Sequence, residues 1–451
     1  GLVPGNRVLL RAPNSPMMVV GYLAVIKAGG VAVGTMPMLR ASELKPIIEK
    51  AAISHALCDL RLKDEMALAA QDCPGLIQLA YFHDDSADGV ETRMAGQPTE
   101  FAPYDSAADE CCLIAFTSGT TGVPKGTMHF HRDLLAICKG FSQQILKPEA
   151  TDLFCGSPPI AFTFGLGGLV LFPMFVGAAT LLLEAAAPPQ LLEAIETYRT
   201  TIVFTAPTAY RAMMTEMEGR DISSLRKAVS AGEHLPEVTW HEFKAATGIS
   251  LIDGIGATEM LHIFISAREE DIRPGATGLP VPGYAVRIIG EDGTDVPVGE
   301  VGRLAVKGPT GCRYLADERQ KVYVHEGWNL TGDSYRMDED GYLWYQARSD
   351  DMIISSGYNI AGPEVEEALL SHEAVGECGV IGVPDPDRGQ VVKAFVVLRN
   401  GALPCEELTR ELQNHVKATI APYKYPRQIA YLDSLPKTQT GKLQRFKLRD
   451  L

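Results

Sequence analysis

The sequence predicts an α/β protein, with a large N-terminal domain of parallel α/β sheets and a small C-terminal α+β domain. Three observations carry this expectation. At 451 residues the chain is too long for one ordinary core, so at least two domains are expected. Its opening alternates short apolar runs with amphipathic stretches, the pattern of parallel strands joined by helical crossovers. Beyond residue 350, two long apolar runs lie between two amphipathic ones, which reads as a unit of its own.

Taken in order, Arg7 to Arg11 reads as strand, Met17 to Lys27 as helix, Gly30 to Val33 as strand, Glu43 to Ala51 as helix, and Ala56 to Cys58 as strand. The order recurs where Thr180–Leu183 and Thr201–Thr205 bracket a helical Gln190–Tyr198. From Gly278 to Val306 the texture changes to short alternating strands with tight turns such as Glu291-Asp292-Gly293, the mark of a small antiparallel β unit. In the last part the predicted helices are Pro363–Leu370 and Cys405–Thr419, and the predicted strands Val375–Val383 and Val391–Leu398. The boundary falls at Asp350, giving domains 1–349 and 350–451.

Composition narrows the function. Hydrophobic content of 46% and charged content of 22% are those of a globular protein. A net charge of −15 with no basic stripe argues against a nucleic-acid surface, so small molecules are the expected partners. Nine scattered cysteines without a Cys-x-x-Cys pair point to free thiols in a reducing cytoplasm and to no zinc site. No targeting segment is evident, and a start at Gly1-Leu2-Val3-Pro4 suggests a missing N-terminal piece. Between Cys155 and Leu183 there is no Asp, Glu, Lys, Arg or His. Pro158, Pro159 and Pro173, with Gly165, Gly167, Gly168 and Gly177, interrupt that run, so it reads as a buried strand–loop–helix passage and not a membrane span.

Chemistry is concentrated in a few motifs. Thr117-Ser-Gly-Thr-Thr-Gly-Val-Pro-Lys-Gly126 is a hydroxyl- and glycine-rich loop with one lysine, suited to phosphates: glycines admit backbone N–H groups, hydroxyls add donors, and Lys125 supplies charge. It is not a Walker loop, because Lys125 sits between Pro124 and Gly126. Asp253-Gly-Ile-Gly-Ala-Thr258-Glu259 follows the apolar Ile249–Ile252 and so lies at a strand end, where α/β proteins bind ligands. Thr258 can donate to a phosphate and Glu259 can hold Mg2+. Trp328-Asn-Leu-Thr-Gly-Asp333 is expected to place a carboxylate after a tight turn, suited to ribose hydroxyls, with Arg348 in support. Near the end, Lys442 follows Gly441 on a loop. Singly, such residues are ordinarily solvated surface.

In this order and spacing they resemble the adenylate-forming superfamily of acyl-CoA synthetases, peptide-synthetase adenylation domains and luciferases, over nearly the whole chain. Ser230-Ala-Gly-Glu-His-Leu-Pro236, Gly254-Ile-Gly-Ala-Thr-Glu-Met-Leu-His-Ile-Phe264 and Phe162-Thr-Phe-Gly-Leu-Gly167 look most like the benzoate-CoA and 2-aminobenzoate-CoA ligases. One departure is Ile255, where a tyrosine commonly packs on adenine. The resemblance implies that the antiparallel unit is a small β-barrel and that the C-terminal domain is mobile about Asp350. It further implies two half-reactions: a carboxylate attacks the α-phosphorus of ATP, and the thiol of coenzyme A then displaces AMP from the acyl-adenylate.

By the same resemblance Lys442 serves the first step, Thr258 the α-phosphate, Glu259 the Mg2+, and Thr117, Ser118, Gly119, Thr120, Thr121, Gly122 and Lys125 the β- and γ-phosphates. Ala231, Gly232, Glu233, Asp253, Gly254 and Ile255 line the adenine, and Asp333 and Arg348 hold the ribose. Rotation about Asp350 brings Ser355, Ser356 and Gly357 to the thiol tunnel.

For the acid, the uncharged run matters again. An α-amino acid needs a carboxylate to pair its ammonium, and none is present there. Phe162, Thr163, Phe164, Ala231, His262 and Ile263 suggest a flat apolar slot for a substituted benzoate, with 2-aminobenzoate expected. Core packing of the two Phe, and a satisfied core histidine at 262, remain open from sequence. Also open are transfer to a carrier-protein phosphopantetheine, a medium-chain fatty acid as substrate, a non-catalytic nucleotide-binding role, and a monomeric or homodimeric state.

Overall fold

The computed structural model describes residues 1–117, 124–348, 351–355, 358–385, 388–399, 401–437 and 443–451. The first sheet has six strands, in the order Gln78–Phe82, Ile53–Asp59, Arg7–Arg11, Val31–Thr35, Cys111–Thr117 and Lys125–Phe130. All its pairings are parallel except the last, where the two strands that flank the phosphate-loop segment run antiparallel. A second sheet of seven runs Leu279–Pro280, Ile263–Ser266, Leu251–Gly256, Lys227–Ala231, Ile202–Thr205, Leu153–Gly156, Ala179–Thr180. Its pairings from Leu251–Gly256 onward are parallel, and the first two are antiparallel. Parallel strands buried on both faces must be apolar throughout, as Ile202–Thr205 and Lys227–Ala231 largely are.

The predicted antiparallel unit is a five-stranded sheet built on Val301–Lys307 and Trp328–Met337. Leu279–Pro280, expected within it, instead closes the edge of the second sheet. Residues of these three sheets share one continuous core, in which Leu10, Phe154, Phe204 and Tyr335 all take part. The fourth sheet, built on Val375–Asp385 and Gly389–Leu398, has a core of its own with Val380, Val396, Leu412 and Val416.

Helix ends follow local chemistry. Ser15 caps Pro16–Lys27, accepting from the Met18 amide with proline at the first position. Cys405, expected as the first residue of its helix, is the cap of Glu406–Thr419, and its sulfur accepts from the Leu408 amide.

Two expectations need correction. Trp328 to Asp333 contains no tight turn: it is part of the long strand Trp328–Met337. Arg303 pairs with Ser334 and Ala305 with Leu330, so residues 331–333 bulge opposite Leu304, and Gly332 (φ 77°) supplies the left-handed backbone the bulge needs. Asp253 to Gly256 do not follow the strand but belong to it: Asp253 and Gly254 pair with Ser230 and Ala231, and pairing with Ile263–Ser266 carries the strand on to Gly256.

The uncharged run begins inside the strand Leu153–Gly156 and goes on to helical backbone from Thr163 to Val176, opened into a wide π turn over Gly167–Leu171. Gly177 (φ 74°) ends it. Among the described residues no helix is long and apolar enough to cross a membrane.

Tyr210, fully buried, ties two neighbouring parallel strands: its hydroxyl lies 2.9 Å from the Val203 carbonyl and 3.0 Å from that of Val229. Tyr210→Phe removes the donor and should cost ~1–3 kcal/mol of stability. The urea-unfolding midpoint reads it, and an unchanged midpoint would show that these carbonyls do not depend on the hydroxyl.

Candidate active site

The site forms along one edge of the sheets. Thr117 ends one strand of the first sheet and Lys125 begins the next, and the two face each other in register. The predicted phosphate residues Ser118, Gly119, Thr120, Thr121 and Gly122 lie outside the described residues, as do Asp350, Ser356, Gly357 and Lys442. Ser355 ends the strand Ile353–Ser355 and is buried.

From the second sheet, Ala231 and Gly254 are neighbours across parallel strands. Gly232 (φ 92°) turns the chain out of its strand, and Glu233 then accepts from the Thr208 amide through Oε2. Ile255 is partly buried against the main core. One carboxyl oxygen of Asp253, Oδ1, is enclosed without a hydrogen-bond partner. Burial pushes this carboxyl up to about 7, against the opposite pull of the Ser230 hydroxyl and Gly254 amide beside it.

Thr258 and Glu259 lie in the 3-10 turn Thr258–Met260 that follows. His129 Nε2 donates to the Thr258 carbonyl at 2.8 Å, and the Tyr314 hydroxyl donates to Glu259 Oε1 at 2.5 Å. No group of three metal-ligating side chains exists among the described residues. A lone accessible carboxylate fits a cation that takes its remaining ligands from phosphates and water, as Mg2+ does, and does not fit an all-protein cage. In the antiparallel sheet, Asp333 and Arg348 face each other in register and pair at 3.1 Å.

The proposed acid-binding residues also converge. His262 is 2% exposed and is met by the rings of Phe172 (4.6 Å), Phe141 (5.5 Å) and Phe164 (5.6 Å). Burial lowers its pKa to about 3, against the smaller opposite pull of the Phe164 backbone beside it, so the ring is neutral, and no side chain hydrogen-bonds either ring nitrogen. Room for it is made by Gly167, where a Cβ would stand 2.3 Å from His262 Cδ2. The core histidine left open from sequence is thus buried but not fully satisfied. Thr163 is buried at the start of its helix, and Phe162 and Phe164 are partly buried against the main core. Ala231 and Ile263 belong to that core, with Ile263 filling the space a Gly254 side chain would need.

Sequence reasoning missed Tyr314 and His129. Both act on residues more than 50 positions away, and no local spacing announces them. His234, stacked on Tyr345 at 5.3 Å and lowered to about 4 by burial, was quoted only as part of a motif.

With this geometry, the comparisons decide the family. Residues 1–314 match the AMP-binding enzyme family and residues 364–442 the AMP-binding enzyme C-terminal domain. The chain belongs to this family. It is thus a member of the adenylate-forming superfamily and an AMP-forming acid–thiol ligase. It is 36% identical to a benzoate–CoA ligase of Thauera aromatica, across 100% of this chain and 86% of that protein. The crystal structure of an anthranilate CoA ligase with anthranoyl-AMP superposes with a TM-score of 0.95 at 36% identity, covering 100% of this chain and 88% of that one. A benzoate CoA ligase from Burkholderia xenovorans gives 0.89 at 31%, covering 99% and 90%.

Asp253 of this ligase yields a pH test. Unfolded, the carboxyl titrates near 3.8, whereas folded it holds its proton to about 7. Across that window the native state binds more protons, so this group's contribution falls as pH rises and is fully lost above about pH 7. Partly buried His234 and buried His262, both with lowered pKa, act in the opposite sense below about pH 6.5. Comparing wild type with Asp253→Asn at pH 5 and pH 8 isolates the carboxyl: the variant should gain relative stability at pH 8. Equal differences at both pH values would show an ordinary, ionised Asp253.

Proposed function

We propose that this ligase activates an aromatic carboxylate of the benzoate type, with 2-aminobenzoate first among candidates, to its adenylate and then its coenzyme A thioester. The observation that carries this reading is His262, neutral and incompletely hydrogen-bonded inside an aromatic wall, with only the Phe164 backbone beside it. A buried ring with an unused donor or acceptor costs about 1–3 kcal/mol, which a bound ligand can recover. The surrounding run from 155 to 183 offers no carboxylate, so an α-amino acid's ammonium has no counter-charge there. Proteins named as benzoate and anthranilate CoA ligases are similar over the full length of this chain.

Within this reading each residue answers one electrostatic problem: an anion must reach the α-phosphate of another anion. Lys125 and the loop 118–122 neutralise the β- and γ-phosphates, Thr258 donates to the α-phosphate, and Lys442 brings its charge to the incoming carboxylate. When bound, Mg2+ supplies charge neutralisation on the phosphates, with Glu259 as its protein ligand. Asp333 and Arg348 hold the ribose. Ala231, Gly232, Glu233, Asp253, Gly254 and Ile255 border the adenine, where Ile255 gives apolar contact in place of stacking. Phe162, Thr163, Phe164 and Ile263 shape the aryl slot. Division into 1–349 and 350–451, with rotation at Asp350 exchanging Lys442 for the 355–357 turn, completes the proposal.

Coenzyme-A-dependent AMP formation across benzoate, 2-aminobenzoate, hydroxybenzoates, hexanoate and phenylalanine tests it. Turnover confined to the benzoates is expected, with Thr163→Ala shifting the preference between benzoate and 2-aminobenzoate. Turnover of phenylalanine or hexanoate alone overturns the substrate class, and adenylate without thioester points to a carrier-protein thiol. Lys442→Ala should slow adenylation ~10²–10³-fold while sparing thioester formation from supplied acyl-adenylate. Equal loss in both half-reactions removes that role.

A further inference from the structure

Lys125 and Glu259 come from different sheets, 134 positions apart, yet one side chain touches both. Tyr314 lies in a segment that pairs with the strand leaving the phosphate loop: Met128 N donates to the Arg313 carbonyl, Leu315 N to the Gly126 carbonyl, both at 2.8 Å, and Thr127 stands opposite Tyr314. The segment is pinned at its far end by Asp317, which accepts from Lys50 at 2.5 Å and from Arg319 at 2.6 Å. Tyr314 itself is 5% exposed and packed edge-on against Tyr323 at 5.7 Å. Its hydroxyl occupies Glu259 Oε1, and Lys125 Nζ lies 5.5 Å from its ring centroid. A carboxylate oxygen only accepts, so the Tyr314 hydroxyl is the donor of that bond.

We infer that Tyr314 is a positioning residue for adenylation: it fixes the rotamer of Glu259 and the place of Lys125 beside it, so that carboxylate and ammonium meet the triphosphate and its divalent cation as one preformed unit. A carboxylate held by a charge-assisted hydrogen bond at one oxygen offers the other to a cation without first losing side-chain freedom. The inference rests on the proposed role of Glu259, and the test separates the two.

Tyr314→Phe keeps the ring, its packing and the face under Lys125, and removes only the donor. ATP affinity is measured by calorimetry with and without Mg2+, in the absence of acid substrate. The variant should lose about tenfold of the Mg2+-dependent gain in ATP affinity, with Mg2+-free affinity unchanged and the melting temperature lowered only as far as the loss of one hydrogen bond accounts for. Thioester formation from supplied acyl-adenylate should also be preserved. In a Glu259→Gln background, Tyr314→Phe should add nothing, because the two changes remove one interaction. A Mg2+-dependent gain that survives Tyr314→Phe but not Glu259→Gln overturns the positioning role alone. A gain that survives Glu259→Gln overturns the assignment of Glu259 and this inference with it. Equal weakening with and without Mg2+ also overturns it, since a merely structural loss would do that.

Discussion

The constraint on which the rest depends is the hairpin joining Leu251–Gly256 to Ile263–Ser266. Within it Thr258 and Glu259, the residues proposed for the nucleotide, are followed at once by Met260, Leu261 and His262, the last of which enters the aromatic wall. Five consecutive residues can face two surroundings only if their backbone is unusually tight. Gly256 lets the returning strand approach, since a Cβ there would meet the His262 carbonyl at 2.9 Å. Gly254 does the same for Ile263. Leu261 takes a left-handed φ of 70°, which costs an ordinary L-residue energy and is held only because its surroundings fix it. Its own side chain is fully buried in the main core, and that packing is what stabilises the turn.

From this hairpin the electrostatics divide. On one side Glu259, Lys125, Asp333 and Arg348 keep charge at the edge of the sheets, tied by Tyr314 and by the 3.1 Å pair in the antiparallel sheet. On the other, burial strips charge away: His262 is neutral and its neighbours are phenyl rings. The wide π turn over Gly167–Leu171 allows both, because it brings Gly167 against the imidazole where an ordinary side chain would collide.

Much of this was legible in the sequence, for identifiable reasons. Parallel strands such as Arg7–Arg11 and Ile202–Thr205 announce themselves as short apolar runs between amphipathic ones. The Trp328–Asp333 segment misled because Gly332 was read as a turn glycine, when its positive φ serves a bulge inside a strand. Asp253 was placed past its strand because the apolar run stops at Ile252. Pairing with Ser230 of the preceding strand, and of Gly254–Gly256 with a later one, is tertiary and overrode that local pattern. Tyr314 and His129 were illegible because their contacts are purely tertiary. The carboxylate and carbonyl they bind are brought to them only when the first two sheets meet.

The contacts across the proposed boundary at 350 bear on how freely the smaller part turns. They include Arg211 on the Gly376 carbonyl, Glu367 accepting from the Glu237 amide at 2.9 Å, and Arg399 with Glu242 at 3.4 Å. Val238 adds an apolar contact to the smaller core. Half-exposed pairs such as Arg399–Glu242 contribute ~0–1 kcal/mol each. Glu367 contributes less than its hydrogen bond suggests, because burial and the nearby charges of Glu237 and Glu364 raise its pKa. In the rotation proposed about Asp350, substrate binding energy would exchange contacts of this kind for others. The core that holds Met260, Leu261 and Ile263 is continuous across three sheets, so such a turn would move the proposed lysine and leave the hairpin in place.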